Sequence, residues 1–341
     1  MKEFGSDFHF ISPQTYSGKG LGDYYPDAVY YADGRQALID LYRQNGWKRL
    51  WVPEYFCYEV LRSVEREGIH LKFYLDYPLF DECATLHSLP FEKGDVLLRV
   101  NYFGLRARRS NQDLPVPVIE DHTHDLIGDW AINSDADWCI ASLRKSLPLA
   151  EGGFLWSPKG GIIKTSPKST SENESLAYMR WRAMRTKTMF LNDLIADKRA
   201  FRADFVSTEE RFDELRISAI DVESSNYIKQ FDVAQWYKKK RANWNILKRK
   251  MEGNLSNTVL EPECTVCTPF SFTLLFGSVT ERNDFRESLI HQSVYPAILW
   301  KVPENISSRV VDFSERVLSI HCDARYSKED MIQLADIMVG R

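Results

Sequence analysis

The sequence predicts an α/β protein, with a large domain built on a mostly parallel sheet and a small C-terminal α+β domain. Two observations carry this. From about residue 27 to 160, short apolar runs alternate with amphipathic helical stretches, the pattern of strands buried on both faces of a sheet. From about residue 255 the order becomes strand, helix, strand, helix. The expected boundaries are 1–250 for the large domain, long helices included, and 251–341 for the small one.

The elements follow in order. Asp33-Gly34 precedes a helix in which Ala37, Leu38, Leu41 and Tyr42 share one face. Leu50 to Pro53 is a short buried strand, and a helix from about Tyr55 to Glu67 is ended by Gly68. Strands are expected at 70–74, 96–103, 116–120, 137–142 and 153–156, and a polar loop at 160–175. Residues 174–250 are mostly helical and highly charged. Beyond them come a strand at 271–276, a helix at 281–290, a strand at 317–321 and a helix at 327–339. Gly18-Lys19-Gly20-Leu21-Gly22 lacks a strand-turn-helix context and is expected to be a loop.

Bulk properties exclude several classes. At 341 residues, with 44% hydrophobic residues, the chain can bury a substantial core. A net charge of -4 speaks against a general nucleic-acid binder. There is no run of 18 apolar residues to span a membrane, and no apolar signal core at the start, so a cytoplasmic protein is expected. Six scattered cysteines frame no disulfide scaffold, and Cys264-Thr265-Val266-Cys267 is expected to be two reduced thiols beside a strand. The basic run Tyr237-Lys238-Lys239-Lys240-Arg241 is expected to be the solvated face of a long helix.

The chemistry concentrates where apolar runs end. Val116-Pro117-Val118-Ile119-Glu120-Asp121 closes on a carboxylate, and Cys139-Ile140-Ala141-Ser142 leads to Lys145, which is followed by Glu151-Gly152-Gly153. Ligands on parallel sheets bind beyond the carboxyl ends of the strands, where both Asp121 and Lys145 fall. A lysine able to form an imine and an aspartate able to keep a pyridine nitrogen protonated are what pyridoxal phosphate (PLP) chemistry requires. Lys145 would then serve as general base and acid in moving a proton. A phosphate would sit at the helix start after Gly34, on the amides of Arg35 and Gln36. The Ser-x-x-Lys spacing lets Ser142 bond it too. His122 and His124 allow a metal reading with Asp121, but no third neutral ligand is evident, and no metal is expected.

In these motifs the chain resembles the DegT/DnrJ/StrS-type PLP-dependent sugar aminotransferases, of the aspartate-aminotransferase fold type I. Asp33-Gly34-Arg35-Gln36-Ala37-Leu38 looks like the family's Ser-Gly-Thr-x-Ala-Leu. Val52-Pro53 through Gly68, Ile119 through His124, Lys145 with Glu151-Gly152-Gly153, and Val317 through Met331 follow its order and spacing. The resemblance implies Lys145 as the Schiff-base lysine, Asp121 as the pyridinium partner and His124 near the ring's phenolic oxygen. It places the ring-stacking aromatic on Cys57, so Phe56 or Tyr58 would stack instead. The serine five residues before the lysine is Ile140, which leaves Ser142 as its substitute. Asn226 is the candidate for an asparagine donated by a partner subunit.

The resemblance further implies a homodimer that moves an amino group from an amino-acid donor to a keto group, most readily on a nucleotide-linked sugar for surface polysaccharide. The alternatives are a PLP enzyme of another reaction type and a non-catalytic binding or assembly protein on the same fold.

Overall fold

The computed structural model of the chain describes residues 3–13, 18–81, 83–212, 216–253 and 257–340. The first half contains β1 (Phe4–Gly5), α1 (Leu21–Tyr24), β2 (Val29–Tyr31), α2 (Gly34–Asn45), β3 (Arg49–Pro53), α3 (Tyr58–Arg66) and β4 (His70–Tyr74). Then come α4 (Cys83–Leu86), β5 (Asp95–Val100), β6 (Val118–Asp121), α5 (Asp129–Ile132), β7 (Trp138–Ser142), α6 (Leu143–Ser146) and β8 (Gly153–Trp156). Four helices follow: α7 (Ser171–Leu191), α8 (Arg199–Phe212), α9 (Val222–Gln230) and α10 (Val233–Met251). The chain ends with β9 (Thr258–Val259), β10 (Phe272–Leu275), α11 (Val279–His291), β11 (Val294–Tyr295), α12 (Ser308–Arg316), β12 (Val317–Ile320) and α13 (Lys328–Val339).

Seven strands form the main sheet in the order β2-β8-β7-β6-β5-β3-β4. The pairs from β4 across to β7 are parallel, and β8 runs antiparallel to both of its neighbours. Side-chain alternation along a strand sends successive residues to opposite faces. In β7, Trp138 and Ile140 join the core under α2 and α3, whereas Cys139 and Ala141 join the core that packs against α7 to α10. Both faces are covered, as the apolar runs require.

The C-terminal part is an antiparallel sheet, β12-β10-β9, with α11 and α13. Its core takes in Trp244, Leu247 and Met251 from the end of α10, and Phe4 from β1. β1 pairs with β11 in a two-stranded sheet of their own, Phe4 opposite Val294, so the first strand packs with the C-terminal core rather than with the large sheet.

Several expectations needed correction. The helix expected from Tyr55 starts at Tyr58, because Tyr55 and Phe56 are drawn into the core. The strand expected to reach Phe103 ends at Val100, where Phe103 takes φ 53° inside a 3-10 turn, Tyr102–Gly104. The expected loop at 18–22 contains the start of α1. Cys264 and Cys267 are paired in a disulfide, with Cα atoms 5.5 Å apart, not reduced thiols. In the basic run Lys238 and Lys239 are exposed, but Lys240 is buried. α12 was not expected. The helical reading of 174–250 includes residues 213–215, which lie outside the described residues, as do Met1, Lys2 and the side chain of Cys83. Among the described residues no helix is long and apolar enough to cross a membrane.

Candidate active site

The register of the central strands aligns their carboxyl ends. Val100 of β5 lies opposite Asp121 of β6, which lies opposite Ile140 of β7. The residues just beyond these ends, together with the start of α2, line one cavity. It holds Asp33, Gly34 and Arg35 at one end and Asn101, Asp121 and His124 at another, with Ser142, Arg144 and Lys145 on a third side. Phe56, Cys57 and Trp300 complete the wall. Glu120, one residue from Asp121, faces the opposite side of the sheet with His122 and Cys139.

Each polar group is held differently. The Thr123 N–H donates to Asp121 Oδ1 at 2.8 Å. The Ser142 N–H donates to Thr123 Oγ1 at 2.9 Å, tying the ends of β6 and β7 together. Lys145, half-buried, makes no hydrogen bond or ion pair among the described residues. His124 Nδ1 accepts the Phe103 N–H at 3.0 Å, which the left-handed turn at Phe103 directs towards it. Burial first, then the charges of Lys145 and Lys240, hold the His124 imidazole well below its ordinary pKa. It is therefore neutral, and with Nδ1 accepting, its Nε2 carries the proton.

The start of α2 is pressed against the sheet by glycines. A Cβ on Gly153 would fall 2.2 Å from the Asp33 carbonyl oxygen, and one on Gly34 3.1 Å from Ser142 Cβ. The Gly152 N–H donates to the Ala32 carbonyl at 2.8 Å. The Glu151-Gly152-Gly153 turn thus fixes where the α2 terminus meets the lysine loop. Asp33 caps α2: its Oδ1 accepts the Arg35 N–H at 2.8 Å and the Arg35 Nε–H at 3.3 Å.

A second cavity meets the first at His124, Arg144, Lys145 and Trp300 and extends towards Arg180 and Arg325. Arg144 and Arg180 share Glu209, at 2.7 and 3.2 Å. Burial pushes the Glu209 carboxyl up, but the two guanidinium groups outweigh it and bring its pKa to about 2. Arg325 is paired with Asp323 through two contacts of 2.9 Å.

Most of the expected site residues line the first cavity: Gly34, Arg35, Phe56, Cys57, Asp121, His124, Ser142 and Lys145. Two do not. The Gln36 side chain turns away and accepts the Ser218 N–H at 2.9 Å, and Asn226 is exposed on α9. Tyr58, the other candidate for stacking, lies against Phe73. The histidines of the H-x-H diverge. His122 Nε2 lies 3.0 Å from Glu120 on the far face, and Cys139 joins them within 4.8 Å. There Glu120 already takes Asn111 and Ser134 at 2.6 Å each. His122 Nδ1 has no partner, whereas the outer nitrogen of a metal-bound histidine is normally held.

No family model and no curated protein sequence matches this chain. Solved structures do. Spr1654 from Streptococcus pneumoniae in its PLP form superposes with a TM-score of 0.68 at 12% identity, over 99% of this chain and 98% of that one. PseC from Helicobacter pylori, an aminotransferase involved in the biosynthesis of pseudoaminic acid, gives 0.67 at 15% identity, over 99% of each chain. DesI, crystallised in the presence of its TDP-sugar product, gives 0.60 at 14% identity, over 93% of this chain and 81% of that one. The fold is the aminotransferase fold, type I.

Within that aminotransferase fold, Asn101, Thr123 and Trp300 are among the cavity residues that escaped the sequence reading. Asn101 is 2% exposed, and its Oδ1 has no partner. A polar residue directly after a buried apolar strand was the available signal. Thr123 links Asp121 to Ser142, a role visible only once the strands are aligned. Trp300 packs on Phe56 and lies within 17° of parallel to His124 at 5.5 Å. It comes from a loop more than 150 residues away (300 − 145 = 155 from Lys145), and no local pattern marks it.

Proposed function

We propose that the chain is a PLP-dependent aminotransferase, a cytoplasmic homodimer that transfers an amino group from an amino-acid donor to a keto group on a nucleotide-linked sugar. One observation carries the proposal. Lys145, with no partner of its own, and Asp121, with one oxygen held and the other unbonded, line a single cavity at the aligned ends of β6 and β7. The donor set suits PLP: an amine for its aldehyde, a carboxylate for its ring nitrogen, and a neutral imidazole N–H for its phenolic oxygen.

When bound, PLP supplies the electron sink that lets an amino group leave one carbon and later join another. The protein supplies the rest. Asp121, anchored by Thr123, would hold the proton on the ring nitrogen. His124, fixed by Phe103, would donate from Nε2 and orient the ring. Lys145 Nζ would bond the cofactor at rest and, once released, carry a proton at the substrate carbon. Gly34 and Ser142 would face the phosphate, and Phe56 or Trp300 would cover the ring. A role for Asn226 requires a second copy of the chain.

The second cavity supports a substrate larger than an amino acid, because it opens beside Lys145 and is lined by Arg180 and Arg325. A nucleotide-linked sugar, as in DesI, and a product destined for surface polysaccharide are consistent with it. A binding protein on the same fold is the second reading, favoured by the carboxylate of Asp33 at the phosphate end.

The absorbance spectrum with PLP tests the proposal. A near-visible band that borohydride removes, leaving one pyridoxyl group on Lys145, is expected, and Lys145→Ala should lose both the band and turnover. A protein that shows no band and gains no mass belongs to the binding reading.

A further inference from the structure

Asp33 puts a negative charge at the end of the cavity where a phosphate would bind. The first free amides of a helix attract anions, and here a side chain of the protein has taken one of them, the Arg35 N–H. Asp33 is 3% exposed and lines the cavity. Its second oxygen, Oδ2, is buried without a hydrogen-bond partner. A buried carboxylate oxygen left unpaired is costly, and it marks the point where a ligand hydrogen would be accepted and a second anion opposed. Arg35 meets the carboxylate through Oδ1 and leaves Oδ2 unbonded. Arg35 is held on Asp33 and on Ser63, each at 3.3 Å, and Arg144 is held by Glu209.

We propose that Asp33 is an internal anion that occupies the phosphate end of the cavity, so the chain gains little affinity from the cofactor's phosphate and holds PLP as an exchangeable ligand. The group that fits Oδ2 is an O–H donor. Two sources carry one: a phosphate bound as its monoanion, and the hydroxymethyl of phosphate-free pyridoxal. The inference rests on the cofactor reading above and concerns one residue of it.

The test titrates cofactor-free protein with PLP and with pyridoxal, following the Lys145-dependent band, and with inorganic phosphate alone by calorimetry. The proteins are the native chain, Asp33→Ser and Asp33→Asn. Serine and asparagine both cap helices, so α2 keeps its start, and melting curves check this. For like charges at close range, removing Asp33 should strengthen PLP and phosphate binding by roughly tenfold or more, with pyridoxal little changed. In the native chain PLP and pyridoxal should bind within about tenfold of each other, less than a free helix N-terminus would allow. Unchanged or weaker binding of phosphate and PLP in both variants would overturn the inference, as would phosphate that binds none of the three proteins. If no protein shows the band with either vitamer while phosphate still tightens in Asp33→Ser, the cofactor reading falls and the role of Asp33 stands.

Discussion

Lys145 and Asp121 are distinguished by what they lack. In a fold where most buried charges are paired, the lysine has no partner and the aspartate uses one oxygen. Asp121→Asn keeps the Thr123 hydrogen bond but cannot hold a ring proton as a carboxylate does. It should still take up PLP while turnover drops by about 100-fold or more. A titration beside a single-turnover assay checks this, and an unchanged rate would remove Asp121 from the chemistry. Both residues were legible because each ends a run of apolar residues, and a charge at a strand's carboxyl end stands out in the sequence. The behaviour of Asp33 was not legible. The pattern Asp-Gly-Arg announces a helix start, but not that the aspartate side chain takes an amide meant for a ligand.

Among the elements, the start of α2 and β8 meet with no space between them. Gly153 allows the strand to press against the Asp33 carbonyl, with no room for a methyl group. Gly153→Ala should cost about 1–3 kcal/mol, read as a lower denaturation midpoint, and an unaltered midpoint would mean the contact is looser than it stands here. Strand positions were well anticipated where the runs were fully buried, as in β7 and β8. Boundaries failed where tertiary contacts overrode local pattern. Tyr55 gave up its place in α3 to pack against Tyr102 and Phe313, and Phe103 left the β5 pattern to aim its N–H at His124.

On the scale of the whole molecule, a layer of buried charge lies behind the site. Burial raises the Asp125 carboxyl to about 6, against the pull of Lys240 and of the Thr268 N–H. In the unfolded chain such a group titrates near ~3.9. Between these values the folded state binds the extra proton. The stability Asp125 contributes is therefore present below about pH 4 and lost as pH rises through about 6. Asp125→Asn should match the native protein at about pH 4 and melt above it by a growing margin up to about pH 7. A margin that does not vary with pH would count against this. Neither the buried state of Lys240 nor the Cys264–Cys267 disulfide could be read from the sequence. A run of lysines looks solvated until packing folds one of them inward, and a C-x-x-C pairs only when its loop brings the two Cα atoms together.

The pairing of Phe4 with Val294 bears on the order in which the molecule can be built. The strand at Phe4–Gly5 has no partner until 290 further residues have been made (294 − 4 = 290). The large sheet can form in the meantime, since its last strand ends at Trp156. The β12-β10-β9 sheet cannot close until Val317–Ile320 has been made. The floor of the second cavity, where Ser6, Asp7 and Phe8 meet His321 and Arg325, is then among the last surfaces assembled. A chain interrupted late in synthesis would hold Asp121 and Lys145 in place above an unfinished chamber.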